Sequence, residues 1–226
     1  MYELILFDAD DTLFDFVRAE AWAFDKTLEA LGRKDPDGAV GVVYRRINRG
    51  LWADLEAGRI SKDALRVERF RRTFTELGWD APATEASETF VARLAEAAFL
   101  LPGAGEICQA LAGNHRLVIV TNGITEVQKG RLARSGLAPW IDHLVISDEV
   151  GVAKPDPAIF AHALVRAGHP EKATVLMVGD SLSSDIRGGQ NFGIDTCWFN
   201  PGGLPCTLDV PPTHEIRSLG DLRNLC

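Results

Sequence analysis

Short, continuous apolar runs that recur at wide intervals constrain this 226-residue chain more than any other feature. The runs are Leu4–Phe7, Leu117–Val120, Leu144–Ile146, Val175–Val178 and Thr196–Phe199, and helical patterns separate the later ones at Gly105–Gly113, Thr125–Ser135, Pro157–Gly168 and Ser184–Phe192. Such runs have the length of buried strands and lack the alternation of half-exposed ones. Strands that alternate with helices form a parallel sheet with helices on both faces, so the pattern predicts a doubly wound α/β fold.

One interval breaks this rhythm, because no strand pattern occurs between about residues 17 and 99. It contains four amphipathic segments. The breaks between them carry glycines and capping residues, which are typical of helix ends. The segments are Arg18–Leu31, Gly38–Ala57, Ser61–Leu77 and Thr84–Ala98. The sequence therefore predicts two domains, an α/β core at 1–15 and 101–226 and a helical insert at 16–100.

The charge balance restricts the partners. A formal net charge of -8 argues against binding to a nucleic-acid polymer, but not against a small phosphate ester bound together with a metal ion. We find no secretory signal and no apolar stretch that could span a bilayer. The four cysteines show neither C-x-x-C pairing nor zinc-type spacing. We therefore predict a cytoplasmic protein that binds neither a nucleic-acid polymer nor a membrane.

Polar side chains follow four of the predicted strands. They occupy Asp8–Thr12, Thr121–Gly123, a loop at Ser147–Pro155 that carries Lys154 just before Pro155, and Gly179–Asp185. Alone, each is an ordinary turn or a surface cation. Ligands of parallel sheets bind beyond the carboxyl ends of the strands, so we expect these four groups to converge on one crevice.

These four signals, in this order, resemble the motifs of the haloacid dehalogenase-like phosphohydrolase superfamily. Its pattern is D-x-D-x-T on the first strand, Ser or Thr on the second, a Lys before Pro, and an acidic G-D-x-x-x-x-D. The resemblance spans nearly the whole chain. It implies a Rossmann-like core with a helical cap of the first type inserted after the first strand.

The resemblance also implies roles for single residues. Asp8 is the implied nucleophile, which forms an aspartyl phosphate. Asp10 is the implied acid and base, which protonates the leaving alcohol oxygen and then deprotonates the attacking water. The implied phosphate-binding groups are Thr121, the backbone amides of Asn122 and Gly123, and Lys154, which also neutralises charge on Asp8.

A metal ion is implied as well, Mg²⁺ in the first place with Mn²⁺ as the alternative. Mg²⁺ takes hard oxygen ligands, and a dication makes the crowding of carboxylates beside a phosphate tolerable. The implied ligands are Asp8, the main-chain carbonyl of Asp10, Asp180 and, directly or through water, Asp185. Asp11 is expected to be exposed to solvent.

Four alternatives compete with a phosphatase. Dehalogenases of the same superfamily lack the aspartate at the position of Asp10 and need no metal, whereas a phosphomutase would keep every core motif. Gly179–Leu182 spells the G-D-S-L of a serine esterase family, but only His214 follows it and no aspartate stands three residues before that histidine. Receiver domains are shorter and have no large insert.

A closer resemblance is to the house-cleaning pyrimidine 5′-nucleotidases. It is carried by Phe7–Phe14, Leu51–Asp54, Gly58–Ser61, Val145–Pro155, Leu176–Asp180 and Thr196–Asn200. It implies hydrolysis of nucleoside monophosphates, including non-standard pyrimidine ones, with phosphoglycolate and sugar phosphates as alternative substrates. The insert also carries aromatic residues at helical spacing, which favours packing in its core over stacking on a base. These are Trp22, Phe24, Trp52, Phe70 and Phe74.

Overall fold

The computed structural model describes residues 2–226, without the side chain of Glu56. Its sheet has six parallel strands in the order β3-β2-β1-β4-β5-β6. They are β1 (Leu4–Phe7), β2 (Arg116–Thr121), β3 (His143–Ile146), β4 (Val175–Gly179), β5 (Asp195–Phe199) and β6 (His214–Ile216). The predicted α/β fold is confirmed, and each of the five predicted strands is present.

The sixth strand was not predicted. β6 pairs only with β5, at one edge of the sheet, and its sequence His214-Glu215-Ile216 contains a single apolar residue. An edge strand this short needs no continuous apolar run, because part of it faces solvent. The apolar pattern on which the prediction was based therefore could not find it.

Helices cover both faces of the sheet. Along β1, Ile5 and Phe7 belong to one apolar cluster and Leu4 and Leu6 to the other, as alternation along a strand requires. The helices packed against the first cluster include α5 (Ala104–Leu111), and those against the second include α8 (Pro157–Arg166).

This part of the chain also contains further helices and short helical turns. They are α6 (Thr125–Arg134), α7 (Ser147–Val150) and α9 (Arg187–Phe192), with a π-helical turn at Leu182–Ile186 and 3-10 turns at Ala138–Trp140, Lys172–Thr174 and Leu219–Asn224. The short α7 lies where the sequence predicted only a loop.

The described chain divides into two compact units, one reaching Val17 and resuming at Ala98, the other running from Arg18 to Ala97. The helices in the interval without strands are α1 (Phe16–Ala30), α2 (Ala39–Glu56), α3 (Lys62–Glu76) and α4 (Ala83–Glu96). Phe24, Phe70 and Phe74 are buried among aromatic rings of this helical unit, which agrees with their expected place in its core.

Among residues 2–226, no helix combines the length and the apolar character that a membrane span needs.

Candidate active site

Strand register brings the predicted polar residues to one edge of the sheet. Phe7 pairs with Ile119 on one side and with Val178 on the other. Asp8, which follows β1, therefore lies within one residue of the level of Thr121, which ends β2, and of Asp180, which follows β4. The backbone N–H of Asp8 donates to the carbonyl of Val178 at 2.9 Å, which fixes the first aspartate against β4.

Lys154 lies at the buried centre of this edge of the sheet. Its ammonium group, almost excluded from solvent, forms ion pairs with Asp8 and with Asp185, the latter at 2.7 Å, and donates to the carbonyl of Val120 at 2.7 Å. An ammonium group has three N–H donors, so these three acceptors use all of them. A contact between Lys154 and a phosphate would therefore require one of these bonds to be exchanged.

Asp180 is positioned from both sides. Its backbone N–H donates to the Thr12 hydroxyl at 3.1 Å, and the same hydroxyl lies 3.4 Å from its carboxylate oxygen Oδ1. On the other side, the indole N–H of Trp198 on β5 donates to the Asp180 carbonyl at 2.8 Å.

Asp185 is fully buried in the π-helical turn. Its carboxylate accepts from the backbone N–H of Ser181 at 3.0 Å and from the Ser184 hydroxyl at 3.3 Å, in addition to the ion pair with Lys154.

Three carboxylates of the site form a cluster that could hold a cation. One oxygen each from Asp8, Asp180 and Asp185 lies within 4.8 Å of the other two. With Lys154 as their buried counter-ion, three ionised carboxylates leave two negative charges uncompensated. A divalent cation with hard oxygen ligands matches both the charge and the chemistry of this set.

Burial and the neighbouring charges also shift the pKa values of the acids and of the lysine in this cluster. Burial raises the pKa of Asp8 well above its ordinary value, against the opposing effect of Lys154, and repulsion from Asp185 and Asp180 adds to the shift. Burial, followed by repulsion from Asp185 and Asp11, raises the pKa of Asp180 to about 7. Burial alone would lower the pKa of Lys154, but Asp185 and Asp8 outweigh it and raise that pKa.

The Thr121–Gly123 turn also lies at this edge. The backbone N–H of Gly123 donates to the Thr121 hydroxyl at 3.0 Å. The Asn122 side chain, which the sequence did not single out, pairs with the backbone of Lys154. It donates to the Lys154 carbonyl at 2.9 Å and accepts from the Lys154 N–H at 2.8 Å. Asn122 therefore fixes the loop that carries the lysine.

The carboxylate of Asp10 lies outside the three-carboxylate cluster. Gln128 on α6 donates to its Oδ2 at 2.8 Å, and Arg131 on the same helix forms an ion pair with its Oδ1. Neither residue was predicted from the sequence. The signal that could have found them is the spacing of Gln128 and Arg131, three residues apart on one face of the helix that begins just after the second strand.

The expectation for Asp11 was wrong. Asp11 is half-buried, and its carboxylate accepts from the backbone N–H of Phe16 at 3.1 Å, at the start of α1. Its backbone is left-handed, with φ of 60°, a conformation that aspartate tolerates better than most residues. Burial, followed by repulsion from Asp10, raises the pKa of Asp11.

Comparisons with known proteins agree with this arrangement. The family model of the haloacid dehalogenase-like hydrolases matches residues 2–193. The chain belongs to this family.

Relatives match the chain over nearly its whole length. The chain is 38% identical to the pyrimidine 5′-nucleotidase YjjG of Escherichia coli K12, with 96% of this chain and 97% of the relative covered. It is also 38% identical to the pyrimidine 5′-nucleotidase PynA of Streptococcus pneumoniae, with 98% and 93% covered. The magnesium-bound crystal structure of the putative hydrolase YfnB of Bacillus subtilis superimposes with a TM-score of 0.92 at 35% identity, covering 99% of this chain and 98% of that one.

The geometry of this hydrolase disfavours the serine-esterase alternative. Ser181 follows β4, whereas His214 begins β6 and is level with Cys197, which in turn is level with Val178. The histidine is therefore two strands away and several residues behind the serine. Its imidazole lies 2.9 Å from the Tyr2 hydroxyl.

Proposed function

We propose that this chain is a Mg²⁺-dependent phosphoric monoester hydrolase that acts as a 5′-nucleotidase on pyrimidine nucleoside monophosphates. The observation that carries the proposal is the cluster of Asp8, Asp180 and Asp185 at the ends of parallel strands, with the buried Lys154 paired to Asp8 and Asp185. The pyrimidine preference is carried over from the names of the two relatives at 38% identity.

In the proposed mechanism, a carboxylate oxygen of Asp8 attacks phosphorus and the bond to the ester oxygen breaks. Asp10 gives its proton to that departing oxygen, so that the nucleoside leaves as an alcohol. Asp10 then takes a proton from a water molecule whose oxygen attacks the phosphorus of the Asp8 phosphate. Inorganic phosphate leaves and Asp8 is regenerated.

Thr121, Asn122, Gly123 and Lys154 are the proposed phosphate-binding residues. The Thr121 hydroxyl accepts a bond from Gly123, which leaves its own hydrogen to donate to a phosphoryl oxygen. The backbone N–H groups of Asn122 and Gly123, in the turn before α6, would donate to the anion, the Gly123 N–H by exchanging its bond to Thr121. Lys154 balances the negative charge that the phosphate brings to Asp8.

Asp8, Asp180 and Asp185, with the main-chain carbonyl of Asp10, are the residues that would hold Mg²⁺, and Mn²⁺ is the alternative ion. When bound, the dication polarises the phosphoryl oxygens and neutralises charge that develops on them. The match to the magnesium-bound YfnB structure supports this choice.

The helical unit is the proposed cap, with 16–100 as its extent in the sequence, and we assign to it the selection of the substrate. The solved structure of YfnB reveals interdomain movement, which supports a mobile helical unit here. A cytoplasmic location remains a prediction from the sequence.

A substrate panel tests the function. Uridine and thymidine monophosphates, purine monophosphates, phosphoglycolate and hexose phosphates are compared by kcat/KM with Mg²⁺, with Mn²⁺ and with a chelator. We expect pyrimidine monophosphates to lead and the chelator to abolish turnover. A lead of phosphoglycolate or a hexose phosphate by more than about tenfold, roughly 1.4 kcal/mol of transition-state preference, would contradict the substrate assignment. Product analysis separates hydrolysis from a mutase reaction, since only hydrolysis releases inorganic phosphate.

A further inference from the structure

The carboxylate of Asp10 is held at both of its oxygens. Gln128 donates to Oδ2 at 2.8 Å, and Arg131 pairs with Oδ1. Both donors come from α6, one turn apart on the same face. Each carboxylate oxygen has two lone pairs, so each keeps one for a proton after these bonds are made. The clamp therefore fixes the direction of the carboxyl group without occupying the positions that transfer a proton.

The two donors are themselves fixed by packing. Gln128 is 2% exposed and Arg131 is 0% exposed. The guanidinium carbon of Arg131 lies 4.5 Å from the ring centre of Phe14, which contributes a cation–π interaction. Gln128 lies so close over Gly123 that a Cβ at that glycine would overlap its amide. Gln128 thus packs against the turn that leads into α6, and Arg131 packs against Phe14.

Burial of the ion pair between Arg131 and Asp10 has a free-energy cost that a purely structural contact would avoid. A fully buried guanidinium loses its hydration, and among the described residues Nε and Nη2 of Arg131 have no hydrogen-bond partner. Apolar residues of similar volume commonly stabilise a core as well as a buried ion pair does, or better. What the ion pair supplies beyond stability is a defined position for the Asp10 carboxylate.

We propose that Gln128 and Arg131 are positioning residues that aim the Asp10 carboxyl group at the departing ester oxygen. The inference rests on the proposed function, in which Asp10 gives its proton to that oxygen as the phosphorus–oxygen bond breaks. Neither residue touches the reacting atoms in this scheme. Each acts through Asp10, and its loss would leave the acid present but misdirected.

Two esters with different leaving groups test this role. The oxygen of a nucleoside needs a proton to depart, whereas p-nitrophenolate leaves readily as an anion. The parameter kcat/KM covers the steps up to the first irreversible one, here the cleavage of the ester bond, so it excludes the later reaction with water. For both esters kcat/KM therefore reports cleavage of the ester bond. This cleavage needs a proton from Asp10 with uridine 5′-monophosphate and needs none with p-nitrophenyl phosphate.

The variants are Gln128→Met, which keeps length and loses the amide donor, and Arg131→Lys, which keeps the charge and loses the planar fork. Arg134→Lys is the matched control, because Arg134 lies on the same helix and is exposed. We expect both variants to lower kcat/KM for uridine monophosphate by about tenfold to a hundredfold, since general acid catalysis contributes about 10² to 10⁴. We expect less than about a threefold change for p-nitrophenyl phosphate and no change in Arg134→Lys.

Equal losses on both esters, or no loss on uridine monophosphate in a variant that keeps its fold by circular dichroism, would overturn the inference and leave the pair a structural tie. If Arg131→Lys does not fold, Gln128→Met decides alone. Should the unaltered protein hydrolyse neither ester, the proposed function itself fails, and the inference fails with it. That result is distinguishable from the others because it appears before any substitution is made.

Discussion

The fully buried Asp185 depends on a glycine at the end of β4. A Cβ placed on Gly179 would overlap the Asp185 carboxyl group, so the chain can carry the acid at this place only where no side chain stands beside it. The requirement is one of close approach rather than of an unusual backbone angle. It connects the sequence Gly179-Asp180 directly to the geometry of the cation site.

Gly179→Ala therefore displaces Asp185 from Lys154 and from the carboxylate cluster. We expect Mg²⁺ affinity to fall by about tenfold to a hundredfold, the range typical of changes next to metal ligands, with a parallel loss of activity. Isothermal titration with Mg²⁺ measures the affinity. Gly113→Ala is the control, because a Cβ there meets nothing within 4 Å. Equal affinities in the two variants would show that Asp185 does not depend on this glycine.

At the residue scale, the sequence predicts the site residues that directly follow or end a strand. It does not predict the residues that contact the site from a helix. Asp8, Thr121 and Asp180 follow or end apolar runs, so their convergence follows from parallel pairing alone. Gln128 and Arg131 are ordinary helix residues more than a hundred positions from Asp10, and no local pattern links such distant partners. The sequence did not predict that Asp11 is half-buried, because its bond to the Phe16 N–H depends on a left-handed turn that the pattern does not reveal.

At the scale of elements, β1 to β5 are predicted by continuous apolar runs, because a strand that helices cover on both faces is apolar throughout. The edge strand β6 has no such requirement and was missed. The sequence predicts a loop where the four-residue helix α7 lies, because a single helical turn has no periodicity to detect.

The helical unit is held by an aromatic core. Phe70 on α3 is fully buried, and its ring lies 5.5 Å from Tyr44 and 5.5 Å from Phe90, measured between ring centres. These rings come from α2, α3 and α4, so one side chain joins three helices. Removing it leaves a cavity that rigid neighbouring rings fill poorly.

We expect Phe70→Ala to lower the free energy of unfolding by about 3–5 kcal/mol. Val42→Ala on α2 is the control, because Val42 is 59% exposed and a surface change of this kind stays within about 0.5 kcal/mol. Urea unfolding followed by circular dichroism measures both. A loss below about 1 kcal/mol in Phe70→Ala would mean that the aromatic cluster does not hold these helices together.

For the whole molecule, the carboxylate cluster makes stability depend on pH and on the metal together. Burial and repulsion raise the pKa of Asp180 to about 7, whereas an unfolded chain has an aspartate pKa of about 3.9. Between these values the folded protein retains a proton that the unfolded chain has lost. The contribution of Asp180 to stability therefore falls as pH rises through this window.

In a chelator, we expect the free energy of unfolding to decline from pH 5 to pH 7 more steeply in the unaltered protein than in Asp180→Asn, which cannot ionise. Mg²⁺ should stabilise the unaltered protein more at pH 7 than at pH 5, because its binding displaces the proton. Thermal unfolding at the two pH values, with and without the ion, measures these differences. Identical pH slopes in the two proteins would contradict the account.

The central claim is that distant parts of the chain assemble around a cation so that Asp8 accepts a phosphoryl group. Its most direct test is acid quenching of Asp10→Asn during reaction with p-nitrophenyl phosphate and Mg²⁺, followed by mass spectrometry of the peptides. Because p-nitrophenolate leaves without a proton whereas the attacking water needs Asp10, we expect the phosphoryl group to accumulate on Asp8 and to be absent when Mg²⁺ is chelated. A phosphoryl group on another residue, or undiminished hydrolysis in Asp8→Asn, would contradict the claim.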